Sequence, residues 1–160
     1  MGIFDFFKTK EKNSSDEYGK EVKSFHTNGK TKSEGYVDDN LKQVGLWKSY
    51  YENGKLDTIG HFKKGKADGL WKTYYENGNL LEEGNYKEGN QIGLWKYYYD
   101  DNNIKSEERF GNDGTEDGLL KKYYENGNVL IEGNYKNGEK VGVWTVYNEN
   151  GEITVQEKRG

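Results

Sequence analysis

The chain repeats itself almost end to end. The stretch from Gly69 to Tyr86, GLWKTYYENGNLLEEGNY, is its cleanest unit, and the opening glycine recurs at Gly45, Gly69, Gly93, Gly118 and Gly142. By subtraction the steps are 24, 24, 25 and 24 residues. A degenerate copy precedes them, beginning near Lys20 and centred on Phe25 to Gly35. Self-similarity at such a period is the signature of an array. One unit cannot bury its own apolar face, so stability is shared between neighbours. The chain thus divides into a segment and linker, 1–19, and a repeat domain, 20–160, with units near 20–44, 45–68, 69–92, 93–117, 118–141 and 142–160.

Each unit reads as two strands around a corner. The corner pairs are Asn28-Gly29, Asn53-Gly54, Asn77-Gly78, Asn126-Gly127 and Asn150-Gly151, with Asp101-Asn102 in the fourth step. Asn-Gly between aromatic-rich runs predicts a two-residue type I′ turn, with positive φ at both residues. If Glu76 then pairs with Asn79, paired numbers sum to 155 and Lys72 falls opposite Glu83. The same construction sets Lys23 opposite Glu34, Lys96 opposite Glu107 and Lys121 opposite Glu132, while Lys48 meets Ile59 instead of an acid. Opposite charges facing each other across a ladder are what an antiparallel pair favours, and a helix would not produce that coincidence. Trp47 falls across from Gly60 and Trp71 across from Gly84, where a ring covers bare backbone.

Alternation sorts the side chains onto two faces. The predicted core face carries Trp47, Trp71, Trp95 and Trp144, Tyr51 and Tyr75, Phe62, Tyr86 and Tyr135, Leu56 and Leu80, over Gly60, Gly84 and Gly133. The other face carries an aromatic stripe, Tyr50, Tyr74, Tyr98, Tyr123 and Tyr147, which is the candidate partner-binding surface. Looser loops such as Lys63–Gly69 and Lys136–Gly142 join the hairpins. The expected fold is all-β, an elongated, twisted antiparallel meander of about five and a half hairpin repeats and roughly eleven strands, curling around its Trp/Tyr/Leu face. Two departures mark the fourth step. Glu108 stands where neighbours have glycine, so that Trp95 faces a carboxylate, and Leu120 replaces the next tryptophan. Structural drift, a bend and a binding feature each account for them.

Composition excludes several functions. Leu, Ile, Val and Phe together make up 30 of 160 residues, just under the ~20% below which disorder is suspected, but four Trp, fourteen Tyr and six Phe argue for packing. Lysines are interspersed with acids at a net charge of -4, the opposite of a nucleic-acid-binding stripe. The absence of cysteine fits a reducing compartment, and with no recognisable export signal the expected location is cytoplasmic. His26 and His61 lack metal-ligand spacing and read as surface sheet residues, and no P-loop, nucleophile or tuned acid pair is visible. No catalytic, metal or cofactor site is expected. Residues 1–8, MGIFDFFK, leave three readings open: a helical cap on the first hairpin, a tail, or a membrane-surface contact. Phe6 stands where a myristoylation pattern wants Ser or Thr.

The run Gly-x-Tyr/Phe-x-x-Gly-x-x-x-Gly-x-Trp, at Gly60–Trp71, Gly84–Trp95 and Gly133–Trp144, resembles the MORN repeat. Joined to Trp-x-x-Tyr-Tyr-x-Asn-Gly, it is similar to the bacterial MORN-variant repeat, over about residues 20–160. Repeat one departs most, with Asn40 where the first loop glycine belongs and no tryptophan. The resemblance implies a non-catalytic protein-binding module, of the kind classed as antitoxin or immunity protein, whose partner is a toxin encoded by a neighbouring gene. A membrane-associated scaffold is the alternative it carries. A carbohydrate or cell-wall-binding repeat is a third reading, from composition alone.

Overall fold

The computed structural model describes residues 19–160. The Phe-rich cluster, and the readings made for it, lie outside the described residues. Residues 20–159 build one antiparallel sheet of thirteen strands: β1 Lys20–Phe25, β2 Thr31–Val37, β3 Gln43–Tyr50, β4 Leu56–Lys63, β5 Lys66–Ala67, β6 Gly69–Tyr74, β7 Leu80–Lys87, β8 Asn90–Tyr98, β9 Ile104–Phe110, β10 Glu116–Tyr123, β11 Val129–Lys136, β12 Glu139–Tyr147 and β13 Ile153–Arg159. Each strand pairs with its neighbour in sequence, except that the two-residue β5 pairs only with β4, whose main partner beyond it is β6. The sheet stays open, with β1 and β13 at its two edges.

The ladder pairs Lys23 with Glu34, Lys72 with Glu83, Lys96 with Glu107, Lys121 with Glu132 and Lys48 with Ile59. The register therefore agrees with the one expected from sequence, although the corner is built differently. Tyr75 N donates to Asn79 O and Gly78 N to Tyr75 O, so the loop has three residues, Glu76-Asn77-Gly78. Gly78 has φ +100° while Asn77 is not among the positive-φ residues. This is a type I turn closed by a left-handed glycine and a bulge. Close to the turn Tyr74 pairs with Leu80, one step off, and the skipped Leu81 restores Thr73 to Glu82 and Lys72 to Glu83.

The type I′ turns lie at the opposite ends of the strands, in loops expected to be looser. Lys64 and Gly65 have φ of 53° and 80°, Glu88 and Gly89 of 52° and 91°, and Asn137 and Gly138 of 50° and 80°. They sit between the pairs Lys63–Lys66, Lys87–Asn90 and Lys136–Glu139. In the first unit the loop is again of the three-residue kind. Asp38 N donates to Lys42 O and Leu41 N to Asp38 O, so Leu41, at φ 59°, takes the glycine's role rather than Asn40. A left-handed leucine costs about 1–2 kcal/mol. Leu41 is also 77% exposed, so almost no packing is lost on truncation. We expect Leu41→Gly to raise stability by about 0.5–1 kcal/mol in urea unfolding, net of glycine's greater freedom when unfolded. An unchanged or lower midpoint would contradict the strain at this position.

The core is a single line of rings held over strand glycines. Glu83 pairs with Lys96 and Asn85 with Ile92, so Gly84 alone faces Gly93, Leu94 and Trp95. Those extra residues arc the incoming strand and fold its indole back over the preceding glycine. A Cβ on Gly84 would lie 2.2–2.5 Å from Trp95 ring carbons, and Gly35, Gly60 and Gly133 are covered in the same way by Trp47, Trp71 and Trp144. Each indole thus shields the glycine of the strand before it, not its ladder partner: Trp71 pairs with Gly84 but lies on Gly60. The indole N–H donates to the carbonyl of the residue after the covered glycine, at 2.9 Å for Trp47–Tyr36, 3.1 Å for Trp71–His61 and Trp95–Asn85, and 3.2 Å for Trp144–Asn134. Edge-to-face contacts link Trp47, Phe62, Trp71, Tyr86 and Trp95 at 4.9–5.9 Å, and Tyr135 meets Trp144 at 5.0 Å. Such pairs add to simple burial.

The fourth-step departures form one exchange at one junction. Trp95 does pair with Glu108 on the ladder, but the ring that would cover position 108 belongs at position 120. Where the glycine slot holds Glu108, the ring slot holds the buried Leu120. Glu108 also reaches Lys122 at 3.7 Å. At the C-terminal edge, Glu157 fills the glycine slot and Arg159 the slot of Tyr135, and the two side chains pair with each other. Charges placed there blunt an open strand edge.

Candidate functional site

The stripe tyrosines close the first strand of each hairpin. Tyr50 donates to Glu34 at 2.6 Å, Tyr98 to Glu83 at 2.9 Å, Tyr123 to Glu107 at 2.9 Å and Tyr147 to Glu132 at 2.8 Å. Each glutamate also meets the lysine across its hairpin, at 3.1, 2.9, 3.6 and 3.0 Å for Lys23, Lys72, Lys96 and Lys121. A Lys–Glu–Tyr triad therefore spans three strands at four of the five junctions between successive hairpins. Tyr74 lies outside this pattern, because Ile59 occupies the position that four other hairpins give to glutamate and the last gives to Gln156. Leu56 and Leu80 pair with Tyr50 and Tyr74, so by register they go with the tyrosine row rather than with the line of indoles.

These links set the protonation states. The Tyr50 hydrogen bond, then the Lys23 ammonium, holds the Glu34 carboxyl below its ordinary range; for Glu83 and Glu132 the lysine leads and the tyrosine adds. Burial first, then the carboxylate partner, pushes the phenols of Tyr50, Tyr98 and Tyr123 up to about 12. A carboxylate depressed by folding stabilises above its unfolded value of 4.5 and loses that contribution as pH falls through its folded value. A phenol raised from 10.0 to about 12 stabilises fully below 10.0 and loses that contribution between the two. We expect the thermal midpoint to be flat from about pH 5 to 9.5 and to fall on both sides, the alkaline fall beginning near pH 10. A flat midpoint through pH 11 would contradict the triads. Chemically, ionised carboxylates and weakly acidic phenols of this kind are poorly matched to proton transfer near neutrality.

Two further rows bind the repeats together, and neither is visible by inspecting one unit. The second tyrosine of each pair donates to the carbonyl of the next repeat's first: Tyr51 to Tyr74, Tyr75 to Tyr98 at 2.7 Å, Tyr99 to Tyr123 at 2.7 Å and Tyr124 to Tyr147 at 2.8 Å. His26 starts the series, its Nε2 lying 2.7 Å from Tyr50 O. Its place in Phe25-His26, against Tyr50-Tyr51, is the sequence signal that could have found this role. The corner asparagines form the second row. Asn77 Oδ1 accepts from Asn79 N at 2.8 Å and its Nδ2 donates to Asp100 O at 3.1 Å; Asn28 and Asn126 do the same toward Glu52 and Glu149.

The tyrosine face leaves a row of apolar side chains open among exposed polar ones. Leu46, Leu70, Leu94, Leu119 and Val143, the residues after the recurrent glycines, are 36–49% exposed. Their ladder partners are His61, Asn85, Arg109, Asn134 and Lys158, a set without a carboxylate. At the missing triad, Leu46, Ile59, Leu70 and Tyr74, with His61 and Lys72, line a depression of about 290 Å³. On the other face Trp47, Phe62 and Trp71 with Ser33, Ser49 and Thr58 line one of about 250 Å³. Among the described residues no group of three or more His, Cys, Asp or Glu is placed to hold a metal ion.

The geometry defines a hairpin-repeat array whose side chains are spent on joining units and whose open surfaces are suited to contact. The chain belongs to the MORN repeat variant family, which it matches in six units, at residues 19–39, 43–64, 67–88, 91–112, 116–137 and 140–158. The sixth unit completes what the glycine spacing counts as a half repeat, and the second to sixth family units each start two residues before the recurrent glycine. Repeats of this family serve generally as protein- or membrane-binding modules. No curated protein matches the chain.

Proposed function

We propose that this protein is a non-catalytic protein-binding array, and that it acts in the cytoplasm as an antitoxin or immunity protein, covering the working surface of a partner encoded by a neighbouring gene. The observation that carries the binding reading is the exposed apolar row on the tyrosine face, set on a backbone that the Lys–Glu–Tyr triads cross-link from strand to strand. A surface already ordered in the free protein gives up little freedom on binding. Large phenol rings beside charged groups are the residue types that dominate interface energy and selectivity. The antitoxin form of the reading adds to this the resemblance to bacterial MORN-variant repeats. Co-expression with the neighbouring gene product tests it: the two should co-elute, and this chain should rescue cells from the partner. Separate elution without rescue would sink it.

A further inference from the structure

The apolar row has a period that a partner can match. Successive members stand on every second strand, at about 4.8 Å per strand, which places them roughly 9.6 Å apart along the stacking direction. An α-helix rises about 10.5 Å in seven residues. A helix laid across the strands with an apolar residue at every seventh position therefore sets successive side chains against Leu46, Leu70 and Leu94 with about 1 Å of drift per step. The row carries its own charge signature. In a chain of net charge -4, the side chains paired with its members include Arg109, Lys158 and His61 and no acid. The neighbouring glutamates Glu83, Glu107 and Glu132 are each engaged by a lysine and a tyrosine. One place in the row departs from the rest: Ile59 stands where a carboxylate would, and with Leu46, Leu70 and Tyr74 it gives a depression an apolar floor flanked by His61 and Lys72.

We propose that this row docks an amphipathic α-helix of a partner protein, with apolar residues seven apart, acidic residues beside them, and one apolar side chain seated in the depression at Ile59. The inference rests on the protein-binding reading and names the site and the chemistry of what it takes. The occupant is helical because every seventh residue returns close to the same helix face with a rise near the strand-pair spacing, and acidic because the ladder partners of the row are neutral or basic and Glu21 and Glu34 beside Leu46 both engage Lys23.

The full chain is titrated with a labelled three-heptad, alanine-based peptide carrying Leu at every seventh position and Glu beside each, and with a control peptide whose leucines are six apart. Binding is followed by fluorescence anisotropy and by amide shifts. The expected result is saturable binding of the heptad peptide, with shifts at Leu46, Ile59, Leu70 and Tyr74, and at least tenfold weaker binding of the control. Ile59→Glu inserts the residue that four other hairpins carry, so it should fold and complete a triad with Lys48 and Tyr74 while closing the depression; it and Leu70→Asp should each weaken binding at least tenfold. The proposal is overturned by no saturation at millimolar peptide, by equal binding of the control, by indifference to both variants, or by shifts confined to the Trp47–Phe62–Trp71 face. Binding that appears only after residues 1–8 are removed would assign the row to the chain's own N-terminal segment, and self-association lost in Leu70→Asp would assign it to a second copy; either overturns the proposal. A neighbouring-gene partner that co-elutes equally with wild type and both variants would also overturn it while leaving the binding-module reading intact. Failure of any partner to co-elute sinks that reading and leaves the titration to decide the row.

Discussion

Gly84→Ala should lose about 3 kcal/mol of stability in urea unfolding, at the upper end of what overpacking by one methyl usually costs. The added Cβ would sit 2.2–2.5 Å from three carbons of the Trp95 ring, and that ring is 1% exposed and has nowhere to go. The chain itself shows how the conflict is resolved, because Leu120 stands in the ring slot of the one internal junction whose glycine slot holds a side chain, Glu108. Gly84→Ala made in a Trp95→Leu background should therefore cost less than about 1 kcal/mol, a coupling of about 2 kcal/mol between the two positions. Equal cost in both backgrounds would show that the glycine is there for its backbone and not for the ring.

Trp95→Ala has the largest expected cost of any single truncation, about 3–5 kcal/mol. It empties the most buried large side chain, removes the N–H bond to Asn85 O at 3.1 Å, and breaks the edge contact with Tyr86 at 4.9 Å. Trp71→Ala should cost less, since Trp71 is only partly buried. Because repeats are coupled to their neighbours, the damage should be local at first. The hairpin of β8 and β9 would be left between two junctions without an indole, one by mutation and one by Leu120. Amide exchange should accelerate there before it does in β3 and β4. Uniform acceleration along the array would contradict nearest-neighbour coupling.

The strands and their pairing are legible in the sequence because the lysines and glutamates report register independently of the turn. The turn type is not, since Asn-Gly serves both a two-residue I′ loop and a three-residue loop with a left-handed glycine. The two differ by one residue, and the skipped Leu81 cancels that difference before Lys72 meets Glu83. Which glycine each indole covers is hidden for a related reason. Trp71 has one glycine across the ladder, Gly84, and another on the strand before, Gly60, and only the arc at Gly69 selects between them. The triads are half visible, as Lys–Glu pairs. Their tyrosines come from the next repeat, 15 or 16 residues on in sequence, and only the stacking of strands brings them to the carboxylate. For the same reason the stripe tyrosines look free for a partner in the sequence, although four of the five hydroxyls bond to glutamates within the sheet.

The most direct test of the ring-over-glycine architecture is a proton NMR measurement of the glycine Hα signals and their through-space contacts to the indoles. Gly35, Gly60, Gly84 and Gly133 should be shifted strongly upfield, with cross-peaks from Gly84 to Trp95 and from Gly60 to Trp71. Gly84 contacts to Trp71 alone, or ordinary glycine shifts at all four positions, would contradict it.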